Sequence, residues 1–377
     1  MKDALANRLL AEVMDWSAEE LAAERPVLQA LATYKYDSYR QFAPGMRFIA
    51  SLAVWLYQFD PSERRVAYDF ARERLVFVSD AEIEHLVEIS FPDHVRPRLL
   101  GWAAEDDGLP SYRVAQTIGS ETYRRLLRQT LYLGLSDGAK TDIFRRSGAP
   151  DIVHDQVHSS YRIPDEKAQD MREALTSDLS STEVNGGSEK YRAVVLLDDF
   201  SASGISYMRE EDGAFGGKVA RVLGDLYDPD GTFQKASLVD ADDLRVYLLL
   251  YVATTQARKY LQGMVDRWRS SQGGAVGDVE IIVVQEIPDS VRVSEQRDGA
   301  FVDLLESYFD SGVVDEHYQK GRHASPHLGF DECALPLVLV HNTPNNSVCL
   351  LWQEAGGVRS YRGLFPRVSR HKAGAAA

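Results

Sequence analysis

Two cysteines, Cys333 and Cys349, are all that 377 residues contain, and neither stands in a CxxC or a spaced metal-ligand pattern. A disulfide framework and a zinc ribbon therefore have no support, and a reducing compartment is the expected setting. Long apolar runs are missing too. The longest, Val246 to Ala253 and Leu335 to Val340, fall far below the roughly 18 residues that a bilayer-spanning helix needs. The opening MKDALANRLLAEVMDW has no long apolar core and no small-residue cleavage site, so a cytoplasmic protein without a membrane partner is expected. Positive charge is also in deficit. With 42 basic against 57 acidic residues the net charge is −15, which disfavours general attraction to nucleic acid or anionic lipid unless basic groups gather locally.

Several familiar motifs are absent. There is no GxxxxGK[ST], Gly213, Gly216 and Gly217 do not form GxGxxG, and no serine or cysteine occupies a nucleophile elbow. His154 and His158 are one helical turn apart, as in zinc proteases, but Asp155 replaces the glutamate base and no third ligand is evident. His323 and His327 share that spacing, with Pro326 opposing a helix.

The residues present describe a globular chain: 44% apolar and 10% aromatic, long enough for two domains. Residues 1–115 read as a helical N-terminal domain. Asp60, Pro61 and Glu63 make a helix start ahead of Val66, Ala67, Phe70, Ala71 and Leu75 at helical spacing. Ser79 and Asp80 begin a second helix through Ile83, Leu86 and Val87, which Pro92 and Pro97 are expected to break. Phe48 to Phe59, containing Trp55, is a further apolar stretch. Two readings fit this part: a winged-helix-like nucleic-acid reader, or packing and docking of a protein partner. Interleaved acids favour the second and leave nucleic acid open.

Residues 116–370 have an α/β texture. Short aliphatic runs, Leu131 to Leu135, Ala193 to Leu197, Arg245 to Val252 and Val279 to Gln285, alternate with helical stretches. That pattern predicts a parallel sheet covered by helices on both faces. Between its halves, 176–190 is polar and rich in Gly and Ser, and reads as a mobile loop, while the AGAAA tail reads as frayed.

In such sheets ligands sit beyond the carboxyl ends of the strands. After Val194 to Leu197 come Asp198 and Asp199, then Phe200, Ser201, Ala202, Ser203, Gly204, Ile205 and Ser206. Paired carboxylates attract vicinal hydroxyls or a divalent cation, and a small-residue loop entering a helix can wrap N–H groups around phosphate. Phosphate beside a diol describes ribose 5-phosphate. A Walker-B-like strand end or a structural turn is the competing reading. Upstream, Ser136, Asp137, Gly138, Ala139 and Lys140 follow another strand, with Arg145 and Arg146 nearby. Gly138 permits close backbone approach and Lys140 carries charge; otherwise the segment is a capped helix entry. At the C-terminal side His341, Asn342, Asn345 and Asn346 surround a proline-fixed turn. They either touch a base or ribose or satisfy their own backbone.

The Asp198–Ser206 segment resembles the signature of the type I phosphoribosyltransferases: apolar residues, two acids, two further positions, then a Thr-Thr-Gly-x-Thr loop. Ser201 departs from a usually apolar position, and Ala202 from the first threonine. The resemblance implies that Asp198 and Asp199 hold the ribose hydroxyls, directly or through Mg²⁺, that 201–206 holds the 5′-phosphate, and that 136–140 receives pyrophosphate. SDGAxxDxFRR over 136–146, DDFSASG and HNTPNN resemble more narrowly the phosphoribosyltransferase-like proteins of bacterial conflict and antiviral defence systems. The expected function is a phosphoribosyltransferase-like enzyme of nucleotide metabolism, acting on phosphoribosyl pyrophosphate or another ribose phosphate or nucleotide. A non-catalytic sensor of the same ligands is the alternative.

Overall fold

A computed structural model of the chain describes residues 3–180, 188–273, 276–314, 316, 318–356 and 360–367. Within them the strands are β1 (Val76–Val78), β2 (Thr130–Gly134), β3 (Val157–His158), β4 (Ala193–Ser201), β5 (Arg209–Glu211), β6 (Ala214–Gly216), β7 (Arg245–Thr254), β8 (Val279–Ile287), β9 (Leu337–Leu339), β10 (Glu354–Gly356) and β11 (Ser360–Arg362). The chain divides into two compact units, one from the residues up to 82 together with those from 288 onward, the other from 83 to 287.

The continuous unit is the α/β part. Five parallel strands lie in the order β3-β2-β4-β7-β8, with Leu131 beside Val194, Asp198 beside Leu250 and Val252 beside Gln285. Nearly unbroken aliphatic sequence is what a strand covered on both faces requires. Val194, Val195, Leu196 and Leu197 are completely buried, each contributing about 1.5–3 kcal/mol of transfer free energy. One face packs on the helices Asp165–Ser180, Lys218–Tyr227 and Thr255–Ser271 through Leu175, Leu223 and Leu261. On the other, Tyr132 meets Phe91 and Phe144. Arg192 and Arg245 both lie over the Trp102 ring, at 4.6 and 4.2 Å.

The other unit is mainly helical. Asp3–Met14, Ala18–Tyr34, Phe48–Tyr57 and Arg64–Glu73 form its N-terminal helices. Ser17 and Glu20 close a capping box on the second. Phe48 to Ala53, Trp55 and Leu56 are buried, so the apolar stretch forms a core helix, and Trp55 Nε1 donates to the Leu350 carbonyl at 2.9 Å. No described helix is long and apolar enough to cross a membrane.

The apolar run Leu335 to Val340 lies in the mainly helical unit. Its β9 portion pairs in parallel with β1, where Phe77 is buried against Tyr36 and Phe365. The two compact units part after residue 82 and again before residue 288, and the one strand among the described residues of 3–115 is β1. Pro92 and Pro97 do not break the helix. Asp80–Ile89 runs through a π-helical stretch, Ser90–Val95, into Arg96–Asp106; the wider turn accommodates Pro92, and Pro97 falls in the first turn, where no N–H is needed. Finally, residues 176–180 complete the helix Asp165–Ser180, because Leu175 and Leu179 are buried one turn apart. The remainder of the expected loop lies partly, and the AGAAA tail wholly, outside the described residues.

Candidate functional site

β2 and β4 are neighbours, so their carboxyl ends bring two sequence-distant loops together. Leu135 N donates to Leu197 O at 2.9 Å, continuing the ladder past β2. The Ser136 hydroxyl then accepts from Gly138 N at 3.2 Å and donates to Asp198 Oδ1. Gly138 lies against the second acid: a Cβ there would stand 2.3 Å from Asp199 Oδ2. Tyr251, from β7, fixes the loop by donating to Ala139 O. Lys140 takes a left-handed conformation, φ 43°, and its ammonium is 3.9 Å from the Glu84 carboxylate. Asp137 is exposed. Arg146 pairs with Asp142 at 3.4 Å and Arg145 meets His154 Nδ1.

The strand does not end before the acids; β4 runs to Ser201, so Asp198 and Asp199 obey strand alternation. Asp198 is completely enclosed. Oδ1 accepts from the Ser136 hydroxyl and, at 3.1 Å, from Asp199 N, while Oδ2 lies 2.8 Å from both Tyr207 OH and Lys218 Nζ. The Tyr207 hydroxyl is equally close to Phe200 O, and its single proton serves one acceptor at a time. Burial raises the Tyr207 pKa well above 10, and the adjacent carboxylates add to it. Burial, reinforced by the charge of Asp198, pushes the Asp199 carboxyl up to about 7, against a lowering by Lys218.

The turn after β4 buries Ala202, Ser203, Gly204 and Ile205 and exposes Ser206. Gly204 has φ +82° and a Cβ on it would stand 2.7 Å from Tyr260 Cδ1 and 3.0 Å from Leu261 Cγ. Both conformation and space require glycine. Tyr207 N and Met208 N converge on Gly204 O at 2.9 and 3.1 Å, and Thr254 Oγ1 donates to Ala202 O, tying the turn to the helix Thr255–Ser271. Ile205 N donates to Ser203 Oγ at 3.4 Å. Among the described residues the N–H groups of Ser203, Gly204 and Ser206 have no acceptor, and the buried Ser201 hydroxyl has no partner. Donors left open in a buried turn suit an anion with several oxygens.

A family model described as PRTase-CE matches residues 52–367. The chain belongs to the PRTase-CE family. This is a phosphoribosyltransferase-type family, and the match runs through both units of the PRTase-CE chain, including the helix Phe48–Tyr57 from its middle onward. No curated protein and no solved structure matches.

In this PRTase-CE protein the turn does not run straight into a helix. A β5–β6 hairpin intervenes, and the helix begins at Lys218, whose N–H and that of Val219 donate to Ser206 O and Tyr207 O. The helix end therefore completes the base of the turn, and the open donors are the turn's own. Tyr207 and Lys218, unrecognised in the sequence, flank that hairpin. The Asp212-Gly213 tip was the available signal, since both residues are left-handed, φ 51° and 78°.

The remaining PRTase-CE candidates belong to other elements. His341, Asn342, Asn345 and Asn346 belong to the other unit. Asn346 Nδ2 donates to Phe330 O at 3.1 Å, Phe330 N donates to Asn345 O at 2.7 Å, and Gln41 Nε2 donates to His341 O at 2.8 Å. These bonds satisfy the local backbone. His154 starts a short 3₁₀ turn and His158 is in β3, so they do not share a helix face.

Proposed function

We propose that the chain is a phosphoribosyltransferase-like enzyme that binds phosphoribosyl pyrophosphate or a related ribose phosphate and acts at its anomeric carbon. The supporting observation is that the open N–H groups of Ser203, Gly204 and Ser206 follow directly on the strand that carries the acid pair, whose Asp199 lies against Gly138. In this reading the turn N–H groups receive the 5′-phosphate, Asp199 accepts hydrogen bonds from the ribose hydroxyls, and the 136–140 backbone with Lys140 receives pyrophosphate. Bond breaking at the anomeric carbon leaves a sugar cation and a departing pyrophosphate, so the protein positions and neutralises without supplying a nucleophile.

Mg²⁺ is the metal this chemistry implies. Asp198, with hydrogen bonds or ion pairs at both oxygens, does not fit as a direct ligand, and the described residues contain no cluster of three or more His, Cys, Asp or Glu able to hold a metal. Asp199 fits as a single carboxylate donor beside substrate phosphates, the usual way magnesium is held in phosphate sites. Bound there, Mg²⁺ would neutralise pyrophosphate charge.

Calorimetry with phosphoribosyl pyrophosphate and Mg²⁺, run with a pyrophosphate-release assay, tests the reading. Binding and release by the wild type, both abolished by Asp199→Asn with the fold retained, are expected. Binding without release identifies a sensor, and no binding refutes the site. An antiviral effector role is proposed from the resemblance of the 136–146, DDFSASG and HNTPNN stretches. It predicts cellular toxicity that disappears with Asp199→Asn.

A further inference from the structure

Lys218 reaches the acid pair from the far end of the β5–β6 hairpin. Its ammonium lies 2.8 Å from Asp198 Oδ2 and 5.1 Å from the centre of the Tyr207 ring, and its side chain is 30% exposed where Asp198 is 0% exposed. The hairpin is pinched at its base: Lys218 N donates to Ser206 O at 3.1 Å and Val219 N to Tyr207 O at 2.9 Å. Gly217, at φ +109°, allows the closure, because a Cβ there would stand 2.4 Å from Tyr207 O. The hairpin thus delivers two groups, Tyr207 OH and Lys218 Nζ, to one carboxylate oxygen. The other oxygen of Asp198 takes the Ser136 hydroxyl and Asp199 N. Asp198 is therefore a joint between the 136–140 loop, the end of β4 and the hairpin base.

We propose that Lys218 is a positioning residue, the protein's own counter-cation for Asp198, which locks this joint so that Asp199 faces the ligand. The inference rests on the ribose-phosphate reading and gives the two acids different roles. Asp198 works inward, in place of direct contact with ribose or metal, and the cation that balances it is covalently part of the chain. A buried carboxylate deprived of its cation is strongly unfavourable, so loss of Lys218 disturbs both loops that Asp198 joins.

The test uses the full chain and phosphoribosyl pyrophosphate with Mg²⁺ as the calorimetric probe. Lys218→Met, which keeps the length of the stem and removes the charge, is expected to weaken binding at least tenfold. Lys218→Arg is expected to restore most of it, and added ethylammonium is expected to improve Lys218→Ala several-fold while tetramethylammonium, which has no N–H, does not. Equal binding by Lys218→Met and wild type overturns the proposal, as does failure of both rescues. If Lys218→Met does not fold, Lys218→Met/Asp198→Asn is expected to fold, because the uncompensated charge is gone; a double variant as damaged as the single one also overturns it. Should the wild type bind no ribose phosphate, the functional reading fails on its own. The Lys218–Asp198 coupling is then read from unfolding of the two single variants and the double, and additive effects refute the joint.

Discussion

Gly138→Ala is a direct probe of how the two loops meet. Gly138 has no left-handed conformation to protect, so alanine meets no backbone objection. Its Cβ would, however, stand 2.3 Å from Asp199 Oδ2 and 2.4 Å from Cγ, well inside van der Waals contact. The carboxylate must rotate or the loop must lift. Overpacking of this kind costs about 1–3 kcal/mol, which lowers the melting temperature of a unit this size by roughly 2–12 °C at about 2–4 °C per kcal/mol. A double-mutant cycle isolates the cause. In an Asp199→Ala background the obstructing atoms are absent, so Gly138→Ala should cost almost nothing, giving a coupling of about 1–3 kcal/mol. Gly224→Ala is the control. It sits inside the helix Lys218–Tyr227 with nothing within 4 Å of its Cβ, and should stabilise by about 0.4–1 kcal/mol. The assay is thermal and urea unfolding of the four cycle members, followed by titration with phosphoribosyl pyrophosphate. Equal cost of Gly138→Ala with and without the Asp199 carboxylate would refute the contact and the geometry built on it.

Asp199 also predicts a pH dependence. Its pKa rises from 3.8 to about 7 on folding, so between those values the folded state holds a proton that the unfolded state has released. This group's contribution therefore makes stability fall as pH rises from about 4 to 7 and stay level above. Asp199→Asn should remove that decline in urea unfolding measured at pH 4.5 and 8, and an unchanged slope would contradict the assignment. Gly204→Ala should destabilise by at least about 1 kcal/mol through its positive φ and its contact with Tyr260. It should also abolish binding of the probe in calorimetry; full binding would show that the turn does not hold the phosphate.

The aliphatic runs made the large sheet legible, because a strand buried on both faces leaves an unambiguous trace in Val194 to Leu197 and Val246 to Leu250. The meeting of Ser136 with Asp198 was legible in outline, since loops at adjacent carboxyl ends must approach each other. Lys218 was not. It lies twenty positions beyond Asp198 in sequence, and only the pinched hairpin makes them neighbours. The destination of Leu335 to Val340 was hidden for a different reason: β1 is three residues long, too short for alternation to announce a strand, and its partner is chosen by burial of Phe77. The polar HNTPNN turn shows the opposite ambiguity, because side chains able to bind a base are equally able to satisfy carbonyls such as that of Phe330.

The discontinuity of the first unit has a consequence for biosynthesis. Every residue of the acid pair, the turn and the 136–140 loop lies in the uninterrupted stretch 83–287, which can close its sheet soon after leaving the ribosome. Val76–Val78, already synthesised, must meanwhile wait for Leu337–Leu339, more than two hundred residues later. The nascent chain thus carries an assembled site before its flanking helical unit is complete. Truncation before residue 337 should spare the former while leaving the strand at 76–78 unpaired and Phe77 without the Phe365 ring.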